Sequence, residues 1–420
     1  MMAIDDLANR LRPLLDEEAA IDLLRRAVGR ESVTGDEANM VAFLEGEMAS
    51  LNLGPLGKGD FLPGRPNIWG RRPGKGDGPH LMFVGHTDTV HVEGWREKWA
   101  GTEREDPFAG ALVDGAIWGR GAGDLKAGIC AGLAALVLLD RAGLTLAGDV
   151  SFAFVGDEES GQPGTGVSAG IKHFTASVSA GRTPKPDFAV YVEPTRLAVY
   201  PAQIGFFIAD IEITGKTAYF GVPELGRDAL KAAHQVLSAL WVHSAELGQA
   251  GEHDLVGRSF LLVTEIRAGG YIAVPGECSL SLIGKLRPGE DLDKAASALE
   301  SVVHAAVTDP EIKVKIAYPA GRDHALGGSP VEIDPAMREV ASLAACLDAA
   351  CPGRGRIEGA PFWSETPFLI KEIGCPAVYC APGDIRNCHT LEEHVEVEEY
   401  LAGIVAFAAF MAAYCGLVED

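Results

Sequence analysis

The chain has little of what would mark a secreted, membrane-spanning or nucleic-acid-binding protein. Its eight cysteines are scattered over 420 residues with no Cys-x-x-Cys pair. That excludes a compact disulfide framework and reads as free thiols in a reducing compartment. No apolar run approaches the roughly 18 residues of a spanning helix. The closest, around Ile129–Leu139, opens from a glycine-rich loop. The first residues, Met-Met-Ala-Ile-Asp-Asp, lack the basic-then-apolar pattern of a secretory leader. Positive charge is scarce: 36 Lys and Arg stand against 59 Asp and Glu, a net charge of −23. Phosphate backbones and anionic membrane surfaces would be repelled. There is no internal repeat, and biased composition is confined to the Gly/Pro-rich stretch Arg71–Pro79. These absences describe a cytoplasmic protein whose partner is a small molecule, not nucleic acid or a membrane.

What is present is an ordinary globular composition, 47% apolar, in a chain long enough for two domains. Helical spacing runs over Asp5–Val28 and Asp36–Leu51, and again over Asp124–Leu139. Asn67–Gly70, Leu81–Val84, Val150–Val155, Phe188–Val192 and Ala377–Cys380 read as strands, several as continuous apolar runs buried on both faces. This alternation predicts an α/β domain with a mainly parallel or mixed sheet covered by helices. The middle differs. Phe206–Thr214, Phe260–Arg267, Cys278–Leu286 and Ile312–Ile316 read as strands, with helices over Leu225–Leu247 and Asp291–Val307. That is an inserted α+β domain with an antiparallel sheet and two helices. The expected boundaries are 1–204 and 323–420 for the discontinuous catalytic domain, and 205–322 for the insertion.

Five short motifs carry imidazoles and carboxylates. They are His86 and Asp88 in Val-Gly-His-Thr-Asp-Thr-Val, Asp124 in Trp-Gly-Arg-Gly-Ala-Gly-Asp-Leu-Lys, Glu158 and Glu159 in Val-Gly-Asp-Glu-Glu, Glu193 in Tyr-Val-Glu-Pro-Thr, and His389 in Asn-Cys-His-Thr-Leu-Glu-Glu. Singly each has a bland reading: Asp124 as a helix N-cap, the histidine as a turn residue, Glu-Glu as a solvated pair. Together they share an address, since most follow the carboxyl end of an expected strand, where open α/β sheets build their sites. Mixed imidazole and carboxylate donors suit zinc, manganese or cobalt, and two such ions activate water for hydrolysis.

Other features carry less. Gly166-Val167-Ser168-Ala169-Gly170 has nucleophile-elbow spacing but follows a loop, not a strand. Gly119–Gly123 lacks the Lys-Ser/Thr ending of a phosphate loop. The acidic run Glu392–Glu399 reads as the solvated face of a terminal helix. Of Trp95 and Trp99, at least one is expected in the core, and Cys388 is expected to point away from the site.

The ordered motifs resemble the dinuclear metallo-aminoacylases and peptidases, including acetylornithine deacetylase, succinyl-diaminopimelate desuccinylase, aminoacylase and glutamate carboxypeptidase. Thr366-Pro367-Phe368-Leu369 and Ala381-Pro382-Gly383-Asp384 followed by His389 look most like the acetylornithine deacetylase branch. The resemblance spans essentially the whole chain. It implies hydrolysis of a C–N bond in a small carboxylate-bearing substrate by metal-bound hydroxide, with two divalent metal ions per subunit. Asp124 would bridge the ions, His86 and Glu193 would complete one, and Glu159 and His389 the other. Glu158 would be the general base, and Asp88 would accept a hydrogen bond from His86. The peptide after Asp124 would be cis. The inserted domain would form a homodimer and lend a histidine to its partner's site.

Here the chain departs from the pattern. Tyr219 stands where that histidine is expected, Ile272 replaces an asparagine, and Lys285 replaces an arginine. Lys285 or Arg287 could hold the substrate carboxylate. The substitutions leave two chemistries open: amide hydrolysis with Tyr219 as a replacement donor, or hydrolytic deamination of an aromatic amine, as in 5-nitroanthranilate aminohydrolase. A non-catalytic binder and a one-metal hydrolase complete the alternatives.

Overall fold

The computed structural model describes residues 4–159 and 165–418. The chain divides into two compact units. The first comprises Met1–Pro201, Ile333–Glu358 and Glu365–Asp420, the second Ala202–Glu332 and Gly359–Ser364. The division therefore falls at 201/202 and 332/333, not at 204/205 and 322/323, and a short later segment joins the second unit. Pairing explains the shift: Gly327–Gly328 and Val331–Glu332 are hydrogen-bonded to the backbone at Phe206–Phe207 and Ala202–Gln203.

In the first unit the sheet runs in the order Gly57–Leu62, Arg65–Arg72, Gly148–Val155, Gly78–His86, Phe188–Tyr191, Ala377–Tyr379. Gly148–Val155, Gly78–His86, Phe188–Tyr191 and Ala377–Tyr379 are mutually parallel, Arg65–Arg72 runs antiparallel to both its neighbours, and Val199–Gln203 continues the sheet antiparallel beyond Ala377–Tyr379. Their centres are nearly free of polar side chains, as a sheet covered on both faces requires. Phe83 and Phe152 point to one face and stack at 5.6 Å. There Phe83 also meets Phe407 of the helix Val397–Cys415 at 5.1 Å. Residues of opposite parity face the other way, where Trp69 meets Phe174 of the helix Ala169–Ser179 at 6.0 Å.

Against the expectation that no apolar run approaches a spanning length, two helices, Ala122–Arg141 and Val397–Cys415, are long and apolar enough to cross a membrane by length and composition alone, the second carrying most of an uncharged run over Tyr400–Val418. Both are almost wholly buried in the fold, which accounts for their composition. The expected helix over Asp5–Val28 is broken into Ile4–Leu11 and Glu17–Val28. Pro13 has no N–H to continue the first, and Asp16 caps the second by accepting from Ala19.

The second unit is an antiparallel sheet ordered Phe260–Ala268, Glu277–Leu286, Gly205–Thr214, Lys313–Ala317. Alternate residues Ile211, Ile213, Leu280 and Leu282 pack beneath the helices Ala229–Gln249 and Leu292–Ala306 through Val236, Leu240, Leu299 and Val303. The first helix begins at Ala229 rather than Leu225, because Asp228 caps the N–H groups of Leu230 and Lys231.

Candidate metal centre

Four parallel strands end on the same side of the first sheet, and four of the five motifs lie there. His86 is the last residue of Gly78–His86. Glu158 and Glu159 follow Gly148–Val155, Glu193 follows Phe188–Tyr191, and His389 lies beyond Ala377–Tyr379. The turn Ala122–Lys126 delivers Asp124 with an extended backbone, and the Asp124–Leu125 peptide is cis. Glycine lets the helix that follows, Ala127–Arg141, start close to the neighbouring strand end. A Cβ on Gly128 would fall 2.4 Å from the Val192 carbonyl oxygen, next to Glu193.

Asp124 divides the site in two. Its Oδ1 lies 3.1 Å from His86 Nε2, which is 3.8 Å from Glu193 Oε1. Its Oδ2 lies 3.2 Å from His389 Nε2, which is 2.7 Å from Glu159 Oε1. Each carboxylate oxygen of Asp124 thus faces its own imidazole and its own second carboxylate. Ligand atoms of His86, Asp124 and Glu159 also lie within 4.8 Å of one another.

The surroundings test whether these residues fit a metal. His86 Nδ1 lies 2.9 Å from the main-chain carbonyl oxygen of Asp88 and donates to it. In the neutral ring Nε2 is then a lone pair aimed at two carboxylates, an arrangement that calls for a cation. Without one the centre recruits protons. Burial opposes charge on His86, but Asp124 and Glu193 outweigh it and hold the ring well above its ordinary value. Hydrogen bonds to Asp124 and Glu159 lift His389 to about 11. Burial, followed by the charge of Asp124, pushes Glu159 up to about 8. A cluster that raises both imidazoles and Glu159, while the burial of Asp124 is outweighed by the two histidines that hold it below its ordinary value, is short of positive charge, so the residues fit divalent ions.

The contact between Asp88 and His86 differs from expectation. The bond is to the Asp88 carbonyl, while its carboxylate stands 3.9 Å from the ring nitrogen. That carboxylate is turned to the N–H groups of Glu159 at 2.9 Å and Glu158 at 3.3 Å, and to the Thr34 hydroxyl at 3.0 Å. Asp88 therefore fixes the backbone carrying the two glutamates. On the far side Asp157, left-handed at φ 72°, accepts N–H groups from Gly166, Val167 and Ala169. The buried Arg65 joins it to Glu37, at 2.7 and 2.8 Å.

Tyr219 and Ile272 lie in the second unit at one exposed tip, joined by a bridge between Tyr219 and Ala273. Tyr219 packs on Phe220, with centroids 4.5 Å apart. Lys285 and Arg287 do not offer uncommitted cations. Lys285 Nζ donates to the Val256 carbonyl at 2.7 Å, and Arg287 Nε pairs with Glu290 at 3.1 Å. Cys388 turns its thiol to the Asp384 carbonyl. Trp95 is in the core and Trp99 is partly exposed.

Sequence reading missed several buried groups. Glu393 and Glu399 of the supposedly solvated run are buried, because the terminal helix begins only at Val397 and each carboxylate has partners inside. Glu399 pairs with Arg354 and accepts from Gly383 N–H, and Glu393 binds Arg120. Glu365 is buried against the Tyr191 hydroxyl at 2.8 Å, and burial followed by the charge of Glu158 pushes it up to about 8.

Imidazoles and carboxylates paired across a shared aspartate, at the ends of parallel strands, define a class of metal-dependent hydrolases. Residues 82–413 match the family described as Peptidase family M20/M25/M40, and the chain belongs to it. It is accordingly a hydrolase of amide-type C–N bonds. It is similar to a succinyl-diaminopimelate desuccinylase of Gluconacetobacter diazotrophicus, 28% identical over 94% of this chain and 97% of that protein. An acetylornithine deacetylase of Myxococcus xanthus is 26% identical over 83% and 84%. The solved structure of a Staphylococcus aureus tripeptidase superposes with a TM-score of 0.74 at 17% identity, covering 96% of this chain and 99% of that one.

Proposed function

We propose that this chain removes an acyl group from the amino nitrogen of a small carboxylate-bearing molecule, with two divalent ions held by His86, Asp124, Glu159, Glu193 and His389. The observation that carries the reading is the placing of the two Asp124 oxygens against separate histidine–carboxylate pairs. Zinc, manganese and cobalt all suit the donor set. When bound, such ions would polarise a carbonyl and lower the pKa of water at the site.

The chain's own residues do the rest. Glu158 belongs to neither pair and is only partly buried, so its carboxylate is free to take a proton from water and return it to the departing nitrogen. Asp88 holds Glu158 and Glu159 through their N–H groups. His86, with Nδ1 committed to a carbonyl, keeps Nε2 for the centre.

In this reading residues 205–322 form a lid that pairs two copies of the chain. The edge strand Phe260–Ala268 exposes Phe260, Leu262 and Ile266, and the helix Ala229–Gln249 exposes Trp241 and Val242, an apolar surface suited to a homodimer. Tyr219 then replaces the family histidine as a hydroxyl donor toward the substrate. The eight free cysteines support a reducing, cytoplasmic setting.

A second reading, hydrolytic deamination of an aromatic amine, is favoured by the apolar tip of Tyr219, Phe220 and Ile272. Product analysis tests both. Protein loaded with zinc, manganese or cobalt is offered N-acyl amino acids, dipeptides and aminobenzoates. An amino acid plus a free carboxylic acid is the expected result. A phenol plus ammonia would replace the proposal with deamination, and metal uptake without turnover of any substrate would replace it with a binding role.

A further inference from the structure

The buried pair Arg120–Glu393 touches three separate segments of the site: the turn that carries Asp124, the loop beside His389 and the loop that follows His86. Glu393 is fully buried and Arg120 is 2% exposed. Glu393 Oε1 accepts the N–H of Gly123 at 3.1 Å and that of Asp124 at 3.0 Å, and Oε2 takes Arg120 Nη1. The rest of the guanidinium is also used. Nη2 donates to the carbonyl of Thr390, next to His389, at 3.1 Å. Nε donates to the carbonyl of His91, in the loop that follows His86 and Asp88, also at 3.1 Å. Trp95, wholly buried, lies 5.5 Å beneath the guanidinium carbon.

We infer that Arg120 and Glu393 are positioning residues that set the separation of the two halves of the metal centre. The inference rests on the metal-centre reading above. A buried carboxylate and guanidinium are costly to desolvate, and a hydrophobic pair of similar volume could fill the space as well. What a hydrophobic pair could not do is hold the Asp124 backbone N–H and two carbonyls from distant loops in one rigid, charge-assisted network. Such outer partners fix the orientation of ligands they do not replace, and losing one typically costs about 10–100-fold in metal affinity. Because Glu393 grips the residue common to both halves, its loss affects both ions and not only the one beside His389.

The test is calorimetric titration of metal-free protein with zinc alone, with cobalt absorption spectra and thermal unfolding in parallel. The proteins are the unmodified chain, Glu393→Gln and Arg120→Lys. Glu393→Gln keeps the shape but loses the charge and must oppose its amide NH2 either to Arg120 or to the N–H groups of Gly123 and Asp124, and Arg120→Lys keeps the charge but loses the fork. The expected result is about 10–100-fold weaker binding of both ions in Glu393→Gln, a smaller loss in Arg120→Lys, and altered cobalt bands in both. Lower melting temperatures with unchanged affinities would overturn the inference and leave a purely structural pair. Weakening of one ion only would overturn it too. If the unmodified chain takes up no metal, the metal-centre reading itself fails, a result distinct from either.

Discussion

His389 Nε2 lies 2.7 Å from Glu159 Oε1 across 230 positions of sequence, on the opposite side of Asp124 from His86 and Glu193. The two histidines are not equivalent. The His86 side chain is 1% exposed and its Nδ1 is bound to a carbonyl, whereas the His389 side chain is 53% exposed. An ion held by the sealed, tautomer-fixed ring should leave more slowly and bind more tightly. Dialysis of loaded protein against rising chelator, with metal counted at each step, is expected to show a plateau near one ion. His389→Ala should keep that ion, and Asp124→Asn should lose both. Loss of both ions in a single step from the unmodified chain would remove this distinction.

Glu158 is expected to matter to turnover and not to metal content. Removing a general base costs about 10²–10⁴-fold in rate. Glu158→Gln preserves size and polarity, and the Asp88 bonds to its main chain remain. Elemental analysis should find metal as in the unmodified chain while kcat falls within that range. A fall in bound metal equal to the fall in activity would make Glu158 a ligand instead.

Metal uptake should expel protons and strengthen as pH rises. Without metal, hydrogen bonds to Asp124 and Glu159 hold His389 up to about 11, and Asp124 and Glu193 hold His86 above its ordinary value against the cost of burial. His389 is therefore protonated at pH 8 in the metal-free protein, His86 is biased the same way by Asp124 and Glu193, and an ion can take Nε2 only as a free lone pair. The metal-free form holds more protons than the loaded form, so affinity increases with pH, by about tenfold per unit for each proton released. Titrations in buffers of different ionisation enthalpy measure that number directly. A slope of zero between pH 6 and 9 would contradict the protonated resting state.

The sequence made some of this legible and hid the rest for physical reasons. Leu81–Val84 and Val150–Val155 announce buried parallel strands because a two-sided core tolerates only apolar side chains. The metal donors stand out because imidazoles and carboxylates at strand ends form a chemically unusual set. Glu393 was invisible. A glutamate in an acidic run looks solvated, and its burial depends on Arg120 and on N–H groups about 270 positions away. Asp88 was legible as the acceptor for His86, but not that it accepts through its main-chain carbonyl, which no residue type encodes. Pro13 and Asp16, by contrast, carry the helix break openly, but the apolar spacing on either side masked it.

Arg65 offers the sharpest test of how much the buried charges contribute to stability. Its guanidinium lies between Glu37 and Asp157, both carboxylates fully buried, and Asp157 closes the segment that carries Glu158 and Glu159. Arg65→Met would keep the apolar stem and leave two buried carboxylates without their cation. Breaking a buried pair in this way costs about 3–5 kcal/mol, far more than the few tenths expected at an exposed site such as Lys58–Glu45. Denaturant unfolding of metal-free protein should resolve the difference, with Lys58→Met as the reference. Restoring balance in the triple variant Arg65→Met, Glu37→Gln, Asp157→Asn should recover part of the loss, since the uncompensated charge is then gone. If Arg65→Met is no more destabilising than Lys58→Met, the network is not what holds this loop.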